Sequence, residues 1–226
     1  LIGGLIERGI RSGEFRAVPV EATVHLLIAP MLHMLLHEHG VTRKALDAAI
    51  EAVRGGQADV GFFAIDPLRS QGLQFTAAYV VIEGAYVVPQ SSPLKSISEV
   101  DRPGVRIAVA AKSAYDLYLS RTIQQATLIK TVRSDQVVDL MLSEQLDVAA
   151  GVKQQLERDM QRVAGLRMLQ PSFMQIHQAM AASEHQPEAV RYLRAFVERL
   201  KASGFIQQSL ALHRIEGVTV APAHRP

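Results

Sequence analysis

Residues 55–79 read GGQADVGFFAIDPLRSQGLQFTAAY: a glycine pair that ends a helix, a strand over ADVGFFAI, and a loop that carries Arg69 six residues ahead of a second strand start at FTAAY. A helix stop followed at once by a β segment is one unit of an alternating α/β pattern. Immediately upstream, TRKALDAAIEAVRGG (42–56) sets Leu46, Ala49, Ile50 and Val53 on one helical face. Thr42 takes the N-cap position and Gly55 the left-handed stop. Downstream, QFTAAYVVIEGAYVVP (74–89) is a long β-rich run closed by Pro89, and SSPLKSISEVDRP (91–103) is rich in turn formers. VRIAVAAKSAYDLYLSRTI (105–123) then changes from period two to helical spacing at Ser113. ATLIKTV (126–132) reads as a strand, SDQVVDLMLSEQ (134–145) as an amphipathic helix capped by Ser134, and LDVAAGV (146–152) as another strand. The alternation predicts a sheet with helical crossovers, and no internal repeat is visible.

Composition sets the outer bounds. The chain has 226 residues, 48% of them hydrophobic, which suffices for one large domain or two lobes with a sizeable core. A formal charge of +2, with no run of five like charges, predicts no nucleic-acid groove. Zero cysteines exclude disulfide and thiolate chemistry without fixing a compartment. The start at Leu1 lacks a basic, apolar and small-residue leader, so it reads as a trimmed chain. The apolar stretch 22–36 contains His25, Pro30 and His33 and is too short for a membrane helix.

Up to about Gly40 the pattern is helical. Ile2, Leu5, Ile6 and Ile10 recur at spacings of three and four before Gly13, and Pro19 opens a second apolar helix. LIERGIRSGEFR followed by VPVEATVHLLIAPMLHMLL resembles part of the C-terminal regulatory domain of TetR-type transcription factors. That resemblance, over 1–40, implies a helix-mediated homodimer. It brings no helix-turn-helix, so no nucleic-acid partner is expected.

From about Thr42 to Ile215 the chain resembles the extracytoplasmic solute-binding proteins, family 3, the receptors of amino-acid ABC importers. The words that carry it are GGQADVGF, DPLRSQGLQFTAAY, SISEVDRPGVRIAVAAKSAYDLYL, VVDLMLSEQLDVAAGV and VRYLRAFVERLKASGF, in that order and spacing. The resemblance implies an α/β, two-lobe, type 2 periplasmic-binding fold: lobe 1 over 41–90 and 176–220, lobe 2 over 91–175, after a helical segment at 1–40. It also implies a small carboxylated ligand in the interlobe cleft, a membrane permease as partner, a periplasmic or other extracytoplasmic location, and no catalysis. With no export signal in the chain, the location rests on resemblance alone. Members of the family open with a strand, a helix and a second strand that complete lobe 1. Their place is taken here by the helical segment, so the first lobe is expected to be incomplete, with an exposed edge and weakened or lost binding.

The resemblance places the ligand site on three stretches. Arg69, after Ala64 and Asp66, sits where the family clamps a carboxylate, a task suited to a guanidinium's two parallel donors. Asp66 replaces a small hydroxyl residue and either accepts from a ligand ammonium or caps the turn. Lys112, Ser113, Ala114 and Tyr115 form the second stretch, where Ser113 is an N-cap and the helix N–H groups favour an anion. Lys112 replaces a family glycine there. At the third stretch, Gly151 and Val152 stand where amino-acid binders place an aspartate for the α-ammonium. Either Asp66 substitutes, or the ligand is an organic acid or other small anion.

Weaker constellations remain. His33 and His37 share a helical face but lack a third ligand, so no metal is expected. Phosphate loops, nucleophile elbows and cofactor motifs do not occur. Two further readings are a TetR-like dimerisation module fused to a sensor, and a dehydratase on the same fold with Asp66 or Glu83 as general acid.

Overall fold

A computed structural model describes residues 11, 43–213 and 215–224. The chain divides at residue 38 into two units, and the account below concerns the second, 39–226. The helical segment expected at 1–40, its dimer interface, the His33/His37 pair and the Thr42 cap lie outside the described residues.

The first helix, α1 (Arg43–Arg54), buries Ile50 and Val53 against Phe63, Leu73 and Ala181, with Leu46 packed alongside and Ala49 exposed. Its stop differs by one residue from expectation. Gly56, at φ 72°, takes the left-handed conformation, while Gly55 continues the turn by donating to the Glu51 carbonyl.

Nine strands follow: β1 (Gly61–Ala64), β2 (Leu73–Phe75), β3 (Val80–Pro89), β4 (Arg106–Ala110), β5 (Thr127–Thr131), β6 (Val148–Val152), β7 (Leu166–Met168), β8 (Met174–Ser183) and β9 (Thr219–Val220). Between them run α2 (Ala114–Thr122), α3 (Val137–Ser143), α4 (Lys153–Arg162), α5 (Pro187–Ala202) and α6 (Phe205–Leu212). The run predicted over 74–89 is interrupted. Thr76 accepts the Met180 N–H on its Oγ1 and donates its own N–H to the Met180 carbonyl, which ends β2 before β3 begins. Ser134 does not cap a helix; it opens a short 3₁₀ turn (Ser134–Gln136), and α3 starts only at Val137.

One half of the sheet is parallel, in the order β5-β4-β6. Its strands have almost no exposed face: Ile107 through Ala110 and Val148 through Ala150 are buried, as expected for strands covered by helices on both sides. The other half is antiparallel, with β1 and β2 both paired to β8. Two ten-residue strands, β3 and β8, join the halves. Over Val80–Gly84, β3 pairs with β8, and from Gly84 onward it pairs with β6. Gly84 is therefore the crossing point, and a Cβ there would stand 2.6 Å from Met174 Cγ and 3.2 Å from Phe173 Cζ.

Helix α5 covers the antiparallel half. Pro187 at its first turn, Glu188 near the N-terminus and Arg199 and Lys201 near the C-terminus match helix polarity. Val190, Leu193, Phe196, Val197 and Leu200 form its buried stripe, and Gly204 at φ 71° turns the chain into α6. Among the described residues no helix is long and apolar enough to cross a membrane.

Candidate site between the two sheet halves

Strand β1 ends at Ala64, and the next residues form a tight turn. The Asp66 carboxylate accepts the Leu68 N–H at 2.9 Å, and the Asp66 carbonyl accepts from the Arg69 N–H at 2.9 Å and the Ser70 hydroxyl at 3.0 Å. This aspartate turn directs Arg69 inward, where only 7% of it is exposed. Nη1 donates to the Ala64 carbonyl at 3.4 Å and Nη2 to the Lys112 carbonyl at 3.0 Å. No carboxylate among the described residues lies within ion-pair distance of it. Burial pushes the Arg69 guanidinium below its usual range, against the raising effect of Asp66 and Asp47.

Across from this turn, Lys112 has a left-handed backbone, φ 59°, which costs a non-glycine residue about 1–2 kcal/mol. Its N–H donates to Asp116 at 2.6 Å and its ammonium pairs with Asp47 of α1 at 2.8 Å. Ser113 is the N-cap of α2, with Oγ accepting from the Asp116 N–H at 3.0 Å. Asp116, buried in the first turn, also pairs with Lys130 at 2.9 Å. Tyr115 is fully buried, and its hydroxyl, with Ser134, Ser113 and the Ala110 backbone around it, makes no hydrogen bond of normal geometry. Its phenol is raised by burial.

Asp66 is not available as an isolated carboxylate. Arg121, near the end of α2, donates to it through Nη2 at 2.8 Å and Nη1 at 3.4 Å. Ala114, Tyr118 and Arg121 lie at helical spacing on one side of α2, so this side faces the Arg69 turn. Tyr118 continues it toward the crossing strands, with its ring 6.1 Å from that of Phe173, which stacks on Tyr86 at 4.2 Å.

The third stretch lies at the end of β6. Gly151 is buried, and a Cβ on it would stand 3.2 Å from Leu156. Val152 is half-buried, opposite Gly84, and begins α4 without a side-chain cap. Lys153 reaches Glu83 of β3 at 2.6 Å, a contact that raises its ammonium above the usual range.

The structure thus brings Ala64, Asp66 and Arg69 together with Lys112, and puts Gly151 and Val152 at the crossing point. Sequence reasoning missed Asp47, Arg121 and the Glu83–Lys153 pair as site neighbours. Only the spacing of Arg121 from Ala114 and Tyr118 was a usable signal for any of them. Among the described residues no cluster of three acidic or histidine side chains suits a metal.

The described residues have the two-lobe periplasmic-binding fold, with the first lobe represented in part. No family model matches the sequence, and no curated protein matches it. Among solved structures, a binding component of an ABC transporter from Wolinella succinogenes DSM 1740, complexed with lysine, superimposes with a TM-score of 0.63 at 17% identity, covering 74% of each chain. The solute receptor for L-cysteine of Neisseria gonorrhoeae gives 0.62 at 14% identity, over 74% of this chain and 70% of that one. An ancestral amino acid-binding protein, described as a precursor of cyclohexadienyl dehydratase, gives 0.61 at 15% identity, over 74% and 73%. Most such neighbours are binding proteins and not enzymes.

Proposed function

We propose that this chain is the solute-binding component of an ABC importer and takes a small carboxylate-bearing solute, an amino acid or an organic acid. Lobe 1 would comprise 41–90 and 176–220 and lobe 2 would comprise 91–175, the cleft between them holding the ligand. The observation that carries this reading is Arg69, a guanidinium nine-tenths buried whose partners are two carbonyls contributed by Ala64 and Lys112, one on each side. A ligand carboxylate competes with the Lys112 carbonyl for Nη2 and offers a charged acceptor instead of a neutral one, which roughly doubles the hydrogen-bond strength. Ser113, Lys112 and Ala114 supply the facing rim, with the α2 N-terminus adding a favourable dipole. Hinge closure at β3 and β8 then presents the liganded shape to a membrane permease, which places the protein on the extracytoplasmic side.

Binding, not catalysis, suits the acids nearby. Asp66 is ion-paired with Arg121 and Glu83 with Lys153, so neither stands as a free acid over the cleft. Thermal melts of the intact chain with and without a panel of carboxylates test the reading. A rise in Tm with ligand that disappears in Arg69→Ala is expected, since only native-state binding stabilises. A rise that survives the substitution would place the ligand elsewhere.

A further inference from the structure

Around Arg69 the charges form a nearly closed set. Asp47 is paired with Lys112 at 2.8 Å, Asp66 with Arg121 at 2.8 Å, Asp116 with Lys130 at 2.9 Å and Glu83 with Lys153 at 2.6 Å. These four carboxylates face four cations, and Arg69 is a fifth whose acceptors among the described residues are both neutral carbonyls. Among the described residues, Arg69 is therefore the cation of this set left without a carboxylate, and the two acids that act on it, Asp66 and Asp47, each hold another cation. A ligand ammonium reaching the buried Asp66 carboxylate would have to displace Arg121 or be desolvated without a partner, and both are costly, whereas the half-exposed Asp47–Lys112 pair adds little either way. Beyond Asp66 and Arg121, aromatic rings continue the surface as far as the Glu83–Lys153 pair beside Gly84 and Val152. Tyr118, one turn before Arg121 on the same side of α2, leads to the Phe173–Tyr86 stack, and Val152 and Met174 flank Gly84.

We infer that the site selects organic monocarboxylates with an apolar or aromatic body and no α-ammonium, over the corresponding α-amino acids. This rests on the proposed function and adds the ligand class. Arg69 takes the carboxylate, and the body lies along Tyr118 and Phe173 toward Val152. The selectivity comes from neutralised acids, with Arg121 as the residue that silences Asp66.

The test is a comparison of matched pairs on the intact chain: 3-phenylpropionate against phenylalanine and 4-methylpentanoate against leucine, by calorimetry and, for millimolar affinities, saturation-transfer NMR. The expected result is that each acid binds at least tenfold more tightly than its amino acid, and that Arg69→Ala abolishes this binding. Arg121→Leu, checked by urea melt to be folded, frees Asp66 and should improve the amino acid relative to the acid by about tenfold. Equal or tighter binding of the amino acids, or Arg69-dependent binding of lysine, arginine or cysteine alone, overturns the inference and leaves the solute-binding reading standing. Failure of every carboxylate to bind overturns both.

Discussion

Arg69 and Lys112 show how a single turn can trade stability for recognition. A guanidinium nine-tenths buried with only carbonyl acceptors has lost hydration without gaining a counter-charge. Arg69→Leu is therefore expected to leave the ligand-free protein within about 1 kcal/mol of the wild type in urea unfolding, or to stabilise it, although it removes the carboxylate response. A loss of 3 kcal/mol or more would assign Arg69 to the core architecture. At Lys112 the positive φ explains why glycine is the usual occupant in the family the sequence resembles. A lysine tolerates it here because its N–H reaches Asp116 and its ammonium reaches Asp47. Arg69 and Lys112 enter as candidates through the resemblance, since a place after a strand alone equally suits a solvated loop residue. What the sequence does not display is pairing across the cleft: nothing local links Asp66 to Arg121, 55 residues on.

At the scale of elements, legibility followed burial pattern. Helices α1, α2 and α5 announce themselves through a stripe at spacings of three and four, and β4 and β6 through short apolar runs. Strand β8, MQIHQAMAAS, does not: Ala179 through Ser183 are buried without alternation because β8 lies inside the sheet, and its other half alternates only weakly. The glycine pair after α1 could not reveal which member turns left-handed, since either fits. Two elements invite direct tests. Gly84→Val would push branched atoms into Met174 and Phe173 at the β3 crossing. It should cost about 1–3 kcal/mol in urea unfolding and alter the near-ultraviolet signal of the Tyr86–Phe173 stack. The loop between α2 and β5 hangs on Asp101, whose carboxylate accepts the Gln124, Gln125 and Ala126 N–H groups. Those bonds, above all the one from Ala126, hold the Asp101 carboxyl below its usual range. A lowered folded pKa gives stability that is full above about pH 4 and is lost as pH falls through the folded value. Asp101→Asn should therefore lower Tm at neutral pH, with the difference from wild type shrinking below about pH 4. A difference that stayed constant down to pH 2 would contradict the charge-based account.

Among the described residues, three contacts cross from α1 or the Arg69 turn to α2 and the residue leading into its cap: Lys112 to Asp47, Arg121 to Asp66, and Arg69 to the Lys112 carbonyl. Two are ion pairs with one partner at least 40% exposed, so salt should weaken them. Small-angle scattering of the ligand-free chain should show a larger radius of gyration in 1 M NaCl than in 20 mM, and the same expansion at low salt in the double variant Lys112→Ala, Arg121→Ala. An unchanged radius in all three samples would show that these contacts do not limit the separation of the elements they join.

The two crossing strands also set a timetable. Among the described residues, strands β1 and β2 pair with β8 alone, Gly61 facing Ala181, whereas β4, β5 and β6 pair among themselves well before that point in the chain. A ribosome adding roughly 5–20 residues per second delivers β8 on the order of 6–24 s after β1. During that interval Phe63 and Leu73, which end up in the core, have, among the described residues made before them, α1 to cover them. The nascent protein therefore displays a sticky, half-built sheet beside a finished one, and the last strand to emerge from the long pair closes the first lobe to be made.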